Sequence, residues 1–228
     1  MGSIAENLQA VNSRIAAAAR AAGRPADAVR LLAVSKTHAP GRIREAHGAG
    51  QCAFGENYVQ EALDKMGSLS DLALEWHLVG ALQSNKTRPV AERFDWVHAV
   101  DREKVARRLS EQRPQGMAPL NVLVQVNVSG ESSKSGVVPR EVRALAAALA
   151  ALPKLRLRGL MAIPEPGAPA ERYREVGELY ASLRGEFGLD TLSLGMSEDM
   201  EAAIAAGSTL VRIGTAIFGA RPKVRDAA

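Results

Sequence analysis

Lys36 stands two residues past the apolar run Leu31 to Val34, in the stretch "RLLAVSKTHAP" (residues 30–40). An ammonium at the end of a buried strand costs free energy unless it is held or used. Desolvation lowers a lysine's pKa, and the unprotonated amine attacks carbonyls, so Schiff-base chemistry is one use for such a group. A lysine whose stem packs while its head reaches solvent, or a carboxylate such as Glu56, fits the position equally well. A second polar interruption lies in "VRIGTAIFG" (211–219), where Arg212 breaks an apolar strand. A guanidinium facing the interior needs a partner, either a ligand or a neighbouring carboxylate. Gly214 permits close backbone approach, and Thr215 adds a hydroxyl and an N–H. In "LGMSEDMEAAIAAG" (194–207), Ser197 is expected at a helix N-cap with Glu198, Asp199 and Glu201 in the first turn. Its hydroxyl and the free N–H groups of that helix start would join Gly214 and Thr215 in a phosphate cup. Simple capping explains the serine as well, and the adjacent acids oppose a dianion unless their side chains point away.

The elements that must position these residues follow one rhythm. Ile4, Leu8, Val11 and Ile15 predict an opening helix over about 3–22. Continuous apolar runs then predict strands at 31–37, 52–56, 76–80, 96–100, 121–128, 157–163, 191–196 and 209–215, with helical patterns between them. Eight such units predict an α/β fold, a single (β/α)8 TIM barrel occupying residues 1–228, with a doubly wound open sheet as the alternative. Barrel sites lie at the C-terminal strand ends. Lys36, Asn57, Gln83 to Lys86, Ser129, Ser197, Arg212, Gly214 and Thr215 all follow or close strands and would converge on one mouth.

Composition removes several function classes. A net charge of +4 from 29 basic and 25 acidic residues is spread without blocks, and aromatics make up 4%. That suits a small anionic ligand and argues against nucleic acid. No apolar run approaches a membrane span, and the start "MGSIAENLQA" lacks a signal peptide's apolar centre, so a cytoplasmic protein is expected. The single cysteine, Cys52, fits a reducing compartment and reads as a small core residue beside Ala53 and Phe54. Histidines 38, 47, 77 and 98 have no metal-ligand spacing, and His77 reads as a satisfied core residue. "GESSKSG" (130–136) has the outline of a P-loop but carries Ser133 where that motif needs glycine. "GAGQCAFG" (48–55) places its third glycine too late for dinucleotide binding and precedes a strand.

"VSKT", "FGENYVQEA", "WHLVGALQSNK", "SKSG", "RLRGLMAIP", "LGMSEDMEAAIAAGST" and "VRIGTAIFGAR" closely resemble the pyridoxal phosphate homeostasis protein family, the YggS/PROSC group, in register from about residue 5 to residue 221. The resemblance implies a single barrel like the N-terminal domain of alanine racemase. It also implies binding of pyridoxal 5′-phosphate (PLP) and a role in intracellular PLP balance without an established reaction. Carried over, Lys36 forms the Schiff base, Ser197, Gly214 and Thr215 bind phosphate, and Arg212 faces the pyridine nitrogen. Asn57 lies beside the ring, while Met161 and the 83–86 loop line the mouth. Lys86 and Lys134 are the other lysines that could carry or share the attachment.

The resemblance also bears on catalysis. A cationic arginine at the ring nitrogen disfavours its protonation, which makes the ring a poor electron sink. Alanine racemases supply a second acid/base, a tyrosine, from a separate β domain, and this chain ends 13 residues after Thr215. The expectation is therefore a monomeric, non-enzymatic PLP carrier that stores, buffers or delivers cofactor, in transient contact with PLP-dependent apo-enzymes. A PLP enzyme of racemase or lyase type is the alternative, and a cofactor-free Schiff-base aldolase is a third reading.

Overall fold

A computed structural model describes residues 2–130 and 135–220. Helix α1 (Ile4–Ala21) starts at a capping box formed by Ser3 and Glu6 and buries Ile4, Leu8, Val11 and Ile15 on one face. The alternation follows as β1 (Arg30–Val34), α2 (Pro40–Gly48), β2 (Ala53–Glu56), α3 (Val59–Ser68), β3 (Glu75–Leu78), α4 (Thr87–Arg93), β4 (Trp96–Val100) and α5 (Glu103–Gln112). It continues through β5 (Leu120–Val126), α6 (Pro139–Ala150), β6 (Leu155–Ala162), α7 (Ala170–Phe187), β7 (Thr191–Ser193), α8 (Met200–Ala205), β8 (Leu210–Ile213) and α9 (Thr215–Phe218). The strands are parallel and close in sequence order, with β8 pairing onto β1. This is the predicted (β/α)8 barrel, and closure leaves no open edge of the doubly wound kind.

Two apolar layers result. The main core joins helix faces to the outer sides of the strands, as with Ile43, Leu109 and Val142 against Leu31, Phe54 and Val97. Two smaller clusters contain no helix residue and fill the lumen: Leu32, Ala53, Val79 and Leu210, and Trp96, Ala99, Leu123 and Met161. Between them runs a polar seam. His77 and His98 are fully buried, 2.9 Å apart through Nδ1 and Nε2, and Trp96 stacks on His77. His77 is thus a satisfied core histidine, as its sequence context implied.

Cys52 departs from its expected place. It precedes β2 in the turn at the bottom of the barrel and is exposed, because strand pairing starts only at Ala53.

The turn that carries Lys36 is clamped from outside the barrel. Lys65 of α3 is buried, and its Nζ donates to Ser35 O (2.8 Å), Glu56 Oε1 (2.7 Å) and Glu61 Oε1 (2.7 Å). Ser35 Oγ also donates to Glu56 Oε1, and Glu61 Oε1 accepts from Thr37 N. Both neighbours of Lys36 are therefore pinned to one ion cluster. Thr37 needs that support, being the one described non-glycine residue with positive φ (66°), a conformation that disfavours a β-branched side chain. Burial raises the Glu56 pKa, and Lys65 opposes that shift.

Two stability predictions follow from these buried groups. Lys65→Met strands Glu56 without its cation and is expected to cost about 3 kcal/mol or more in urea unfolding at neutral pH. Adding Glu56→Gln should recover most of that loss; a double variant no more stable than the single one would show that the ion pair does not hold this region. For the histidines, burial lowers both pKa values, His98 well below the ordinary value. Unfolded rings bind protons near pH ~6.5 while the folded ones stay neutral, so stability falls as pH drops below ~6.5. Each ring contributes a slope of roughly 1.4 kcal/mol per pH unit, partly offset by Glu56. His98→Gln should lower the slope by about half the histidine contribution between pH ~6 and ~5, and equal slopes in the two proteins would refute this account.

Candidate functional site

Strand register brings the sequence-predicted residues to one end of the barrel. Ala33 pairs with Ile213 and Val34 with Gly55, so Lys36, Asn57 and Gly214 leave neighbouring strands at similar height. Lys36 and Asn57 are half-buried, as are Ser197 and Gly214, and Thr215 is exposed. Two close approaches fix this rim. A Cβ on Gly80 would lie 2.3 Å from Asn57 O, so the chain after β3 leaves room for the Asn57 backbone only as glycine. A Cβ on Gly214 would come within 3.1 Å of Val34 O, which keeps the ends of β8 and β1 together. His38, two residues past Lys36, packs its ring 5.2 Å from that of Phe218 in α9 and ties the Lys36 turn to the Gly214–Thr215 corner.

Ser197 is not the helix cap the sequence suggested. It lies in a turn, and Asp199 holds the N-cap position of α8, because the chain makes an extra bend after Gly195 before the helix starts. The Asp199 carboxylate accepts from Met196 N and from the Tyr173 hydroxyl of α7 (2.8 Å). Glu201 pairs with Arg14 of α1. Asp199 and Glu201 thus have partners of their own, and the charge of Asp199 also reaches Arg212. Thr215, read as the end of β8, begins α9 instead.

Arg212 is the group the site is built on. It is 5% exposed, and its partners are not carboxylates. NH1 donates to Ser193 O and Oγ, both at 2.7 Å, and NH2 donates to Ala162 O at 3.0 Å. Among the described residues no acceptor takes Nε–H. Burial pulls the pKa down to about 10, partly countered by Asp199, so the group remains cationic at neutral pH. A buried cation held by neutral oxygens suits an anionic or acceptor-bearing ligand above it.

Met161 is fully buried in the lumen cluster with Trp96 and Leu123, below the rim. Gln83, Asn85 and Lys86 form or flank a short 3-10 turn and are exposed. A cavity of about 360 Å³ opens at the mouth, lined by Asn57, Gly80, Gln125, Asn127, Ser135 and Ile163 among others. Gln125 and Asn127 were missed in the sequence, although two amides interrupting the C-terminal end of an apolar strand were the available signal. Ser193 was missed too, since one hydroxyl in a strand has many bland uses. Lys134, considered as a second attachment lysine, lies outside the described residues, as does most of "GESSKSG". Among the described residues no cluster of metal-ligating side chains occurs, and no helix is long and apolar enough to cross a membrane.

Comparison with known proteins agrees with this architecture. Residues 7–222 match the alanine racemase N-terminal domain family. The pyridoxal phosphate homeostasis protein of Pseudomonas aeruginosa is 60% identical, with 97% of each chain covered. That of Escherichia coli K12 is 56% identical over 97% of this chain and 98% of its own. The structure of PipY from Synechococcus elongatus PCC7942 with PLP bound superposes with a TM-score of 0.83 at 38% identity, covering 95% of this chain and all of that one. With a barrel closed in this order and relatives of such identity along its whole length, the chain belongs to the pyridoxal phosphate homeostasis protein family, within the alanine racemase N-terminal domain fold.

Proposed function

We propose that the chain binds PLP covalently through Lys36 and serves intracellular PLP homeostasis by storing, buffering or delivering the cofactor, with no catalytic reaction of its own. The observation that carries this reading is Arg212: a buried guanidinium near the C-terminal end of β8 that, among the described residues, has no carboxylate partner and no acceptor at Nε–H. When bound, PLP supplies an aldehyde that condenses with an amine and releases water. Lys36 offers that amine on a turn clamped at both neighbours. Ser197, Gly214 and Thr215 offer hydroxyls and backbone N–H groups to the phosphate. Arg212 offers a donor to the ring nitrogen, Asn57 flanks the ring, and Met161 forms apolar floor beneath it. The names of the P. aeruginosa and E. coli relatives and the PLP-bound PipY structure support the same reading.

The preference for a carrier over an enzyme rests on the chain's own groups. A donor-only cation at the ring nitrogen disfavours its protonation and weakens support for carbanion chemistry. Tyr173 and Tyr180 are buried with their hydroxyls on Asp199 and Leu189 O, and Tyr58 is 60% exposed. None of the three is placed as a buried second acid/base. Tyr58, Ile163 and Met196 are exposed on the loops after β2, β6 and β7, an apolar rim that suits transient contact with apo-enzymes. A cytoplasmic, monomeric protein completes the proposal.

The test is borohydride reduction of the PLP-loaded protein followed by peptide mapping. A phosphopyridoxyl group on Lys36 is expected, and Lys36→Ala should lose it while PLP binding weakens about ten-fold or more. An adduct mapped to Lys86, or an unchanged adduct yield in Lys36→Ala, would overturn the assignment. Steady turnover of an amino acid that disappears in Lys36→Ala would replace the carrier reading with the racemase or lyase one.

A further inference from the structure

The hydrogen bonds of Arg212 do not end at Ser193. Ser193 Oγ lies 3.0 Å from His98 Nδ1, His98 Nε2 lies 2.9 Å from His77 Nδ1, and His77 Nε2 lies 2.5 Å from Glu75 Oε1. Glu75 in turn accepts from Arg30 NH1 (3.0 Å) and NH2 (2.9 Å). Glu75 and Arg30 open β3 and β1, at the end of the barrel opposite the mouth. One continuous chain of contacts therefore crosses the lumen from the bottom face to the ligand end.

The chemistry of the groups fixes the direction of every proton in it. Burial favours a neutral Glu75, but hydrogen bonds from His77 and Arg30, with the Arg30 charge, hold its pKa at about 2, so the carboxylate only accepts. His77 must then donate from Nε2, and as a neutral ring it accepts at Nδ1. His98 must donate from Nε2 and accept at Nδ1, and Ser193 must donate its hydroxyl proton to His98. The Ser193 oxygen is left as an acceptor for Arg212. With both rings neutral, no other arrangement satisfies these contacts. The charged groups that face the pair are Glu75, Arg30 and Asp95 around His77 and Arg212 beside His98, with Arg158 stacked on the far face of Trp96.

We propose that this chain is a positioning relay: the Glu75 carboxylate orders His77, His98 and Ser193 so that Arg212 is held by its two terminal nitrogens and presents Nε–H to the ligand at the mouth. Glu75, across the barrel from the site, is then a determinant of ligand affinity without touching the ligand. The inference rests on the reading that Arg212 meets PLP. Aligned hydrogen bonds polarise one another, so the Ser193 oxygen is a stronger acceptor for the guanidinium when its own proton is drawn toward the carboxylate.

Two measurements test it. In ligand-free protein, ¹⁵N spectra of the histidine rings should show His77 and His98 protonated at Nε2 only, with no tautomer exchange. PLP titration should show Glu75→Gln and Ser193→Ala each weakening binding about five-fold, and neither changing it in an Arg212→Lys background. Ser193→Ala removes one hydroxyl and spares the carbonyl partners, so it carries the test should Glu75→Gln not fold. Exchanging tautomers, or equal effects in both backgrounds, overturn the relay and leave PLP binding at Arg212 standing. Arg212→Lys with unchanged PLP affinity overturns the underlying reading of Arg212, and the relay with it.

Discussion

A guanidinium inside a parallel barrel, with no carboxylate to meet it, sets the terms for its surroundings. Moving such a charge out of water is expensive, and only dense hydrogen bonding or an opposite charge offsets the cost. Here two carbonyls and one hydroxyl from β6 and β7 take the terminal nitrogens of Arg212. The positions of those oxygens depend on the pairing of Met161 with Ser193 and of Ser193 with Leu210. Barrel closure is therefore a condition for holding the cation as well as a way to bury apolar surface.

The same logic governs the other end of the site. Lys36 sits on a turn whose strained Thr37 would relax without restraint, and the restraint comes from an ion cluster outside the lumen. Lys65 is the hub, taking a backbone carbonyl and two carboxylates at once. The two cations at the mouth are thus supported differently. Arg212 is held from within by neutral acceptors that leave its charge available. The turn bearing Lys36 is held from outside by one cation shared between two carboxylates, so the support carries its own counter-charge.

Much of this was legible in the sequence. Eight apolar runs separated by helical patterns could close only as a parallel sheet covered on both faces, and the polar residues at their C-terminal ends do gather at one mouth. The boundaries were less legible: "TLVRIGT" reads as one strand, yet Gly214 ends it and Thr215 begins a helix. Local spacing misplaced Ser197 as a cap, because the bend after Gly195 is a tertiary feature set by packing against α7 and α8. The supports were least legible. Ser193 and His98 are 95 residues apart in sequence and His77 and His98 are 21 apart, and each alone is an unremarkable polar residue in an apolar strand. Lys65 carries a helical ion-pair spacing to Glu61 that ordinarily marks a solvated face, and only the fold buries it.

The remaining question is why a carboxylate that orders the lumen stands at the far end of it. A carboxylate against Arg212 would satisfy the guanidinium fully, cancel its charge and turn its donors inward, leaving little for a ligand. Coulombic attraction weakens with distance, whereas the direction of a hydrogen bond is passed on unchanged from one donor to the next. Two neutral imidazoles and a hydroxyl separate the charges while preserving that direction. Neutrality is essential to the arrangement, since a protonated ring would donate from both nitrogens and break the sequence of donors. Burial keeps both rings neutral, so the desolvation that makes polar groups costly in this lumen is also what gives the proposed relay a single direction.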